Sequence, residues 1–172
     1  MLFTRHSLEK RVSGLASWTV GVLYCGVFTG VVSLGVNRFG DEYFIALLLL
    51  SFATDTFAYL GGRLVGKRPL APLISPKKTL EGSLVGLLCG AGIGAAYLMT
   101  LPHKSPFFVL ILACFAASLF SQVGDLFESL IKRHSGVKDS GRILPGHGGI
   151  LDRIDGLLFA GPVIYLWMDF YL

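Results

Sequence analysis

Charged side chains are scarce in this sequence. Only 15% of its 172 residues are Asp, Glu, Lys or Arg, whereas 53% are hydrophobic, and the mean hydropathy is +0.66. This balance is atypical of a soluble domain and typical of a membrane chain. Cysteine is rare as well, and Cys25, Cys89 and Cys114 all fall in apolar runs, where neither a disulfide framework nor a zinc spacing can be recognised. The net charge of +4 does not indicate nucleic acid, because in a membrane protein the distribution of charge matters more than its total.

Long apolar runs dominate what is present. Five of them approach the roughly 20 residues that a helix needs to cross about 30 Å of hydrocarbon. They cover residues 16–36, 43–65, 80–101, 107–131 and 151–172. We therefore predict an all-α fold, a polytopic transmembrane helical bundle of about five spans. No cleavable signal peptide is predicted, because a polar segment precedes a run that is long enough to span.

Lys and Arg are distributed unevenly along this predicted bundle. With the N-terminus in the cytosol, 13 of the 15 basic residues fall in inside segments, and only Arg38 and Lys104 fall outside. The positive-inside rule then sets the orientation. We expect a multi-pass membrane protein, of the inner membrane in a bacterium, with the basic loops over residues 66–79 and 132–150 facing the cytoplasm.

Glycines recur four residues apart in the third run, at positions 82, 86, 90 and 94. A stripe of small residues lets two helices approach closely in lipid. We predict that this stripe is a helix-packing surface.

Carboxylates lie inside or next to the apolar runs, where a membrane chain has few. They are Asp55, Asp125, Glu128, Asp152 and Asp155. Asp125 and Glu128 are three residues apart and so share a helix face, and Asp152 and Asp155 are spaced in the same way. An ionised side chain near the bilayer centre costs about 2.5–3.5 kcal/mol on insertion scales, so something must offset the charge.

Two explanations of these carboxylates stay open. Taken singly, Asp55 can cap a helix or pair with Arg63, and Asp152 can be an N-cap with Asp155 in the first turn of its helix. Taken together, the last four are explained more economically by a bound hard cation, Mg²⁺ above all, with a second cation left open. The predicted metal ligands are Asp125, Asp152, Asp155 and Glu128.

A polar segment over residues 129–156 lies between the last two apolar runs. It is rich in glycine, with Lys, Arg and Asp interleaved. Glycines at this density let backbone N–H groups approach an anion closely, so phosphate chemistry is the first interpretation. His147, between glycines, can be a ligand, an acid or base, or simply a partner of the backbone.

The loop over residues 66–79 offers a second basic cluster. Ser75, Lys77, Lys78 and Thr79 carry hydroxyls and charges that suit a triphosphate or a lipid phosphate. As an alternative, the loop only touches anionic head groups. Thr79 can also cap the third helix, with Glu81 in its first turn.

Two blocks of sequence carry a specific resemblance. The first reads Asp55-x-x-Ala58-Tyr59-x-x-Gly62, then Gly66-Lys67, then Ile74-Ser75-Pro76-Lys77-Lys78-Thr79-x-Glu81-Gly82. The second reads Ser129-x-x-Lys132-Arg133, then Lys138-Asp139-x-Gly141, then Pro145-x-His147-Gly148-Gly149-x-x-Asp152-Arg153-x-Asp155. Together they resemble the phosphatidate cytidylyltransferase, or CDP-diglyceride synthase, family.

The resemblance implies an activity and a set of residues. CTP and phosphatidic acid would give CDP-diacylglycerol and pyrophosphate, in phospholipid biosynthesis. Residues 16–172 would form the membrane-embedded catalytic domain, the C-terminal half of the family's usual bundle, behind a cytoplasmic segment over residues 1–15. The implied catalytic residues are Asp125, Asp152, Asp155, Lys132 and Arg133. The implied substrate-binding residues are Ser75, Lys77, Lys78, Thr79, Lys138, His147, Gly148, Gly149 and Arg153. The expected partners are CTP, phosphatidic acid and the lipid bilayer, with a homodimer left open and no nucleic acid.

Two rival functions also use membrane-embedded carboxylates or CDP-lipids. A transporter or proton-coupled channel also uses intramembrane carboxylates, but it predicts repeated broken helices, and the two halves of this sequence show no repeat. A CDP-alcohol phosphotransferase carries an Asp-Gly-x-x-Ala-Arg run. Here Asp155-Gly156 is followed by Leu-Leu-Phe-Ala, so that run is absent.

Overall fold

The computed structural model describes residues 14–15, 19–137, 139–141 and 149–172. This part of the chain contains five long helices, as predicted, and each boundary lies within three residues of the predicted one. They are α1 (Thr19–Phe39), α2 (Asp41–Val65), α3 (Leu80–Leu98), α4 (Phe107–His134) and α5 (Leu151–Tyr171). Within α1, the segment Val22–Phe28 is a π-helix. The predicted all-α bundle is confirmed.

Four of these helices, α1 to α4, are long and apolar enough to cross a membrane by length and composition. Among the described residues, α5 does not meet that criterion although it has 21 residues. Asp152, Arg153 and Asp155 near its start lower its hydropathy. Much of α5 is instead buried against α4, α2 and α1. The bundle thus holds a helix that is too polar to face lipid along its whole length.

The apolar core lies where α2, α3, α4 and α5 meet. At the end of the bundle away from the two basic loops, the hydroxyl of Tyr43 donates to the backbone oxygen of Gly161 at 3.0 Å. Arg38 and Asp169 form an ion pair of 2.5 Å at this same end. These contacts join α1, α2 and α5.

The glycine stripe of α3 lies directly against α2. A Cβ built on Gly86 would lie 2.7 Å from the Cβ of Ala58, and one on Gly94 would lie 2.7 Å from Cδ1 of Leu50. Any side chain there must push the two helices apart. Gly92 lies outside the stripe and has nothing within 4 Å. The predicted packing surface is confirmed.

The first basic loop contains a hairpin that the sequence analysis did not predict. Pro69–Ala71 (β1) and Ser75–Thr79 (β2) pair antiparallel, with the first residue of β1 opposite the last residue of β2. The Nε of Arg133, at the end of α4, donates to the backbone oxygen of Ile74 at 3.3 Å. The hairpin is therefore attached to the bundle and not only to its own two helices.

Hydrogen bonds fix the junction between the hairpin and α3. The Oγ1 of Thr79 accepts from the backbone N–H of Gly82 at 3.2 Å, so Thr79 is the N-cap of α3. Glu81, in the first turn, accepts from the backbone N–H groups of Lys67 and Arg68 at 3.0 and 3.1 Å. The capping role considered for Thr79 is confirmed.

Candidate active site

A cavity of about 360 Å³ opens beside the hairpin, walled by α2, α3, α4 and the hairpin itself. Its charged lining residues are Asp55, Arg63, Lys77, Lys78 and Asp125. Its apolar lining includes Ala58, Tyr59, Leu70 and Leu126. Helices thus contribute acidic groups from the bundle side, while the hairpin and the end of α2 contribute basic groups. Such a cavity suits a ligand that combines phosphate with an apolar part.

Lys78 forms an ion pair with Asp125 and so links β2 to α4. The hairpin makes this pair possible, because it folds β2 back over the end of the bundle. The two side chains are 29% and 28% exposed, so a ligand in the cavity can reach both.

Lys132 forms the second charged contact of the site. Its Nζ lies 2.6 Å from Oδ1 of Asp152 and also forms an ion pair with Glu128, one turn earlier on α4. The Oδ2 of Asp152 accepts three further hydrogen bonds, from Ser140 N at 2.9 Å, Ser140 Oγ at 2.8 Å and Gly149 N at 2.7 Å. Glu128 is only 1% exposed, and apart from Lys132 its carboxylate has no hydrogen-bond donor in the part of the chain described. Glu128 therefore depends on Lys132 for compensation of its charge.

Two glycines bring α4 and α5 close together beside Asp155. A Cβ on Gly124 would lie 2.5 Å from the backbone oxygen of Asp155, and one on Gly156 would lie 2.5 Å from Oγ of Ser121. Asp155 is buried in this contact, where its Oδ1 accepts from Gly156 N at 2.8 Å. The close approach carries the carboxylates of the two helices toward one another.

Carboxylates of α2, α4 and α5 lie at the same end of the bundle. Asp55 and Asp125 line one cavity, and Asp155 lies in the close contact between α4 and α5. Asp55 lies in the interior of α2, so its interpretation as a helix cap is wrong. Asp152 is the second residue of α5, whose N-cap is Ile150, so Asp152 is not an N-cap either. The simplest single-residue explanations therefore do not account for these two groups.

The donor chemistry of this site fits a hard cation, because carboxylate oxygens are the ligands that Mg²⁺ prefers. Over residues 19–137, 139–141 and 149–172, however, no three His, Cys, Asp or Glu side chains are grouped so as to hold a metal ion. Among the same residues, Lys78 pairs with Asp125 and Lys132 with Asp152. The predicted four-carboxylate metal site stays a prediction.

The other predicted residues lie around these two ion pairs. Lys77 and Thr79 line the cavity from β2, and Ser75 begins that strand. Arg133 is engaged with the hairpin backbone, and Arg153 is exposed in the first turn of α5. Lys138, His147 and Gly148 lie outside the described residues.

Three side chains at or beside the site were not predicted from the sequence. Ser83 and Gln122 line the cavity and bond each other, with Gln122 Nε2 donating to Ser83 O at 3.0 Å and Ser83 Oγ donating to Gln122 Oε1. An amide within an apolar run was the available signal for Gln122. Tyr24 is the third, buried in the π-helical segment. It carried no signal, because an aromatic residue in an apolar run indicates packing.

The fold and site define a class: a helical membrane protein with a charged cavity, suited to phosphates, at one end of its bundle. Residues 1–171 match the model of the cytidylyltransferase family, and the chain belongs to this family. It is 44% identical over 147 residues to proteins named phosphatidate cytidylyltransferase from Staphylococcus haemolyticus, Staphylococcus epidermidis and Staphylococcus aureus. The match covers 82% of this chain and 56% of each relative, so the chain spans about half their length. The family resemblance of the two sequence blocks is confirmed.

Proposed function

We propose that this chain carries the catalytic part of a phosphatidate cytidylyltransferase, which converts CTP and phosphatidic acid to CDP-diacylglycerol and pyrophosphate. The observation that carries the proposal is the cavity in which Lys77, Lys78 and Arg63 face Asp55 and Asp125. Membership of the cytidylyltransferase family and the names of the relatives support this choice of reaction.

The residues of the cavity suit both substrates. Lys78 can exchange its carboxylate partner for a phosphate oxygen, because either one is an anionic acceptor for the ammonium group. Tyr59, Leu70 and Leu126 give the cavity an apolar wall that suits the glycerol and acyl part of a lipid. The uneven distribution of Lys and Arg supports a cytoplasmic position for this end of the bundle, where CTP from water and a lipid head group can meet. The homodimer stays a prediction.

The reaction itself needs little acid–base chemistry from the protein. An ionised phosphatidate oxygen attacks the α-phosphorus of CTP, and the new P–O bond forms as the bond to pyrophosphate breaks. No proton has to be removed from the attacking oxygen at neutral pH. The work left to the chain is positioning and the neutralisation of phosphate charge, for which Lys132, Arg133 and Lys78 are the candidates.

Divalent-cation dependence is part of the proposal. Mg²⁺, or a pair of cations, would be held by Asp125, Asp152, Asp155 and Glu128. A bound cation offsets negative charge on phosphate oxygens.

An assay with radiolabelled CTP, purified protein, phosphatidate micelles and Mg²⁺ tests the proposal. We expect labelled CDP-diacylglycerol that requires both substrates. Asp125→Asn and Asp152→Asn should each abolish transfer, and the double variant should be scarcely worse than either single, because the groups act as a unit. Asp169→Asn, at the opposite end of the bundle, is the control and should keep its activity. A wild-type chain that forms no product would refute the reaction, and near-native turnover in both site variants would refute the assignment of these residues.

A further inference from the structure

Tyr24 lies in the π-helical segment of α1 and is only 3% exposed. Its ring contacts Phe127 of α4, with centroids 5.5 Å apart, and Phe159 of α5, with centroids 5.7 Å apart. Phe127 directly precedes Glu128, and Phe159 is one helical turn after Asp155. The aromatic contacts therefore hold Tyr24 against the part of α4 and α5 that carries the carboxylates.

The hydroxyl of Tyr24 has no hydrogen-bond partner among the described residues. The Oε1 of Glu128 shares that condition, whereas its Oε2 is paired with Lys132. Buried polar groups are normally paired, and leaving one unpaired is unfavourable. The ring contacts place Tyr24 beside the stretch of α4 and α5 that carries Glu128 and Asp155. A buried donor and a buried acceptor with unused bonding capacity therefore lie in the same part of the site.

Glu128 has fewer protein hydrogen-bond donors than Asp155 if Lys132 moves away. Asp155 already accepts a hydrogen bond from Gly156 N. Glu128 depends on Lys132, which it shares with Asp152. A phosphate that attracts Lys132 leaves Asp152 with its three other hydrogen bonds but takes from Glu128 its ion-pair partner.

We propose that Tyr24 is a positioning residue, whose hydroxyl donates a hydrogen bond to Glu128 when Lys132 turns to a substrate phosphate. The inference rests on the proposed function, because the phosphate is that of the nucleotide or lipid substrate. Tyr24 lies in a π-helical segment, a feature that is frequent at functional sites. The first helix thereby becomes part of the site without touching the substrate.

One experiment tests this inference without substrate. Tyr24→Phe is made alone and together with Lys132→Met, and the melting temperature of the purified full chain is measured in detergent. Alone, Tyr24→Phe should change the melting temperature by less than about 2 °C, because its hydroxyl is unpaired. In the Lys132→Met background it should lower the melting temperature by about 3 °C or more, because the hydroxyl is then the donor to Glu128.

Tyr43→Phe is the matched control, because its buried hydroxyl already donates to Gly161 at the other end of the bundle. It should lower the melting temperature by the same amount in both backgrounds. The inference about Tyr24 is overturned if Tyr24→Phe behaves in that way too.

A second experiment measures CTP affinity by calorimetry. Tyr24→Phe should weaken CTP binding by about tenfold, the effect of one hydrogen bond to a charged group, whereas Tyr43→Phe should not. In a Glu128→Gln background the effect of Tyr24→Phe should vanish. Normal CTP affinity in Tyr24→Phe overturns the inference and leaves the proposed function intact. Failure of the wild type to bind CTP counts against the proposed function, and the melting experiment then decides on Tyr24 alone.

Discussion

Lys132→Met is expected to destabilise the chain by leaving a buried carboxylate without its counter-charge. The side chains involved are well shielded, at 16% exposure for Lys132, 2% for Glu128 and 12% for Asp152. Breaking a buried ion pair by removing one partner costs about 3–5 kcal/mol. We expect a value near the lower end, because the Tyr24 hydroxyl can turn to Glu128. For a chain of this size the loss corresponds to a decrease of about 6 °C or more in melting temperature.

The loss of stability in Lys132→Met should arise almost entirely from one of the two carboxylates, Glu128. Asp152 keeps three hydrogen bonds from Ser140 and Gly149 when Lys132 is gone. Glu128 loses its ion-pair partner, and the Tyr24 hydroxyl can replace only part of that interaction. Adding Glu128→Gln to Lys132→Met should therefore restore most of the stability, to within about 1 kcal/mol of the wild type, since it removes the buried charge.

Asp152→Asn is the matched comparison in the same background. It should restore little, because the buried charge of Glu128 still lacks its counter-charge. Unfolding by SDS titration in mixed micelles, followed by circular dichroism, gives the free energies of unfolding of Lys132→Met and of its two double variants. Rescue by Asp152→Asn, with none by Glu128→Gln, would refute the reasoning.

Three further predictions follow from other contacts. Gly86→Leu should lower the stability by about 1–3 kcal/mol by forcing α3 from α2, while Gly92→Leu leaves thermal unfolding unchanged; equal losses would contradict the packing argument. Lys78→Gln should raise the KM for CTP or phosphatidate, or lower kcat, whereas Lys104→Gln at the other end should not; unchanged kinetics would reduce Lys78 to a head-group contact. In a cysteine-free background, Leu73→Cys, at a hairpin position 94% exposed, should react with an impermeant maleimide only from the cytoplasmic side and Lys104→Cys only from the outside. The opposite labelling would refute the orientation.

The helices were predictable because their signals are local. Apolar runs give the lengths, and the stripe that includes Gly86 and Gly94 indicates a close contact from its spacing alone. The sequence does not say which helix lies against the stripe. That partner, α2, follows from tertiary packing, and so does the confinement of α5 within the bundle.

The hairpin and the ion pairs could not be predicted, because they depend on contacts between distant segments. Lys78 and Asp125 are 47 residues apart, and only the folding of β2 over the bundle brings them together. The structural role of the glycines was also ambiguous from the sequence. The polar segment suggested a backbone cradle for phosphate, but Gly156 lies within α5 against Ser121 of α4, where it permits close helix packing. The resemblance to a family identified the important residues, and the fold assigns them their contacts.

The carboxylates described at this end of the bundle are not all in ion pairs. Lys78 forms an ion pair with Asp125, and Lys132 forms ion pairs with both Glu128 and Asp152. In the part of the chain described, Asp55 and Asp155 form none. A polyphosphate that draws the two lysines away brings its own negative charge next to Asp125 and Glu128, beside a medium of low dielectric where like charges repel strongly. A nucleotide that arrives as its Mg²⁺ complex lowers this repulsion, in addition to Arg63 and Lys77, which also line the cavity. This charge argument supports the proposed cation more directly than the spacing of the four carboxylates does, and it predicts that Mg²⁺ and CTP bind with positive cooperativity.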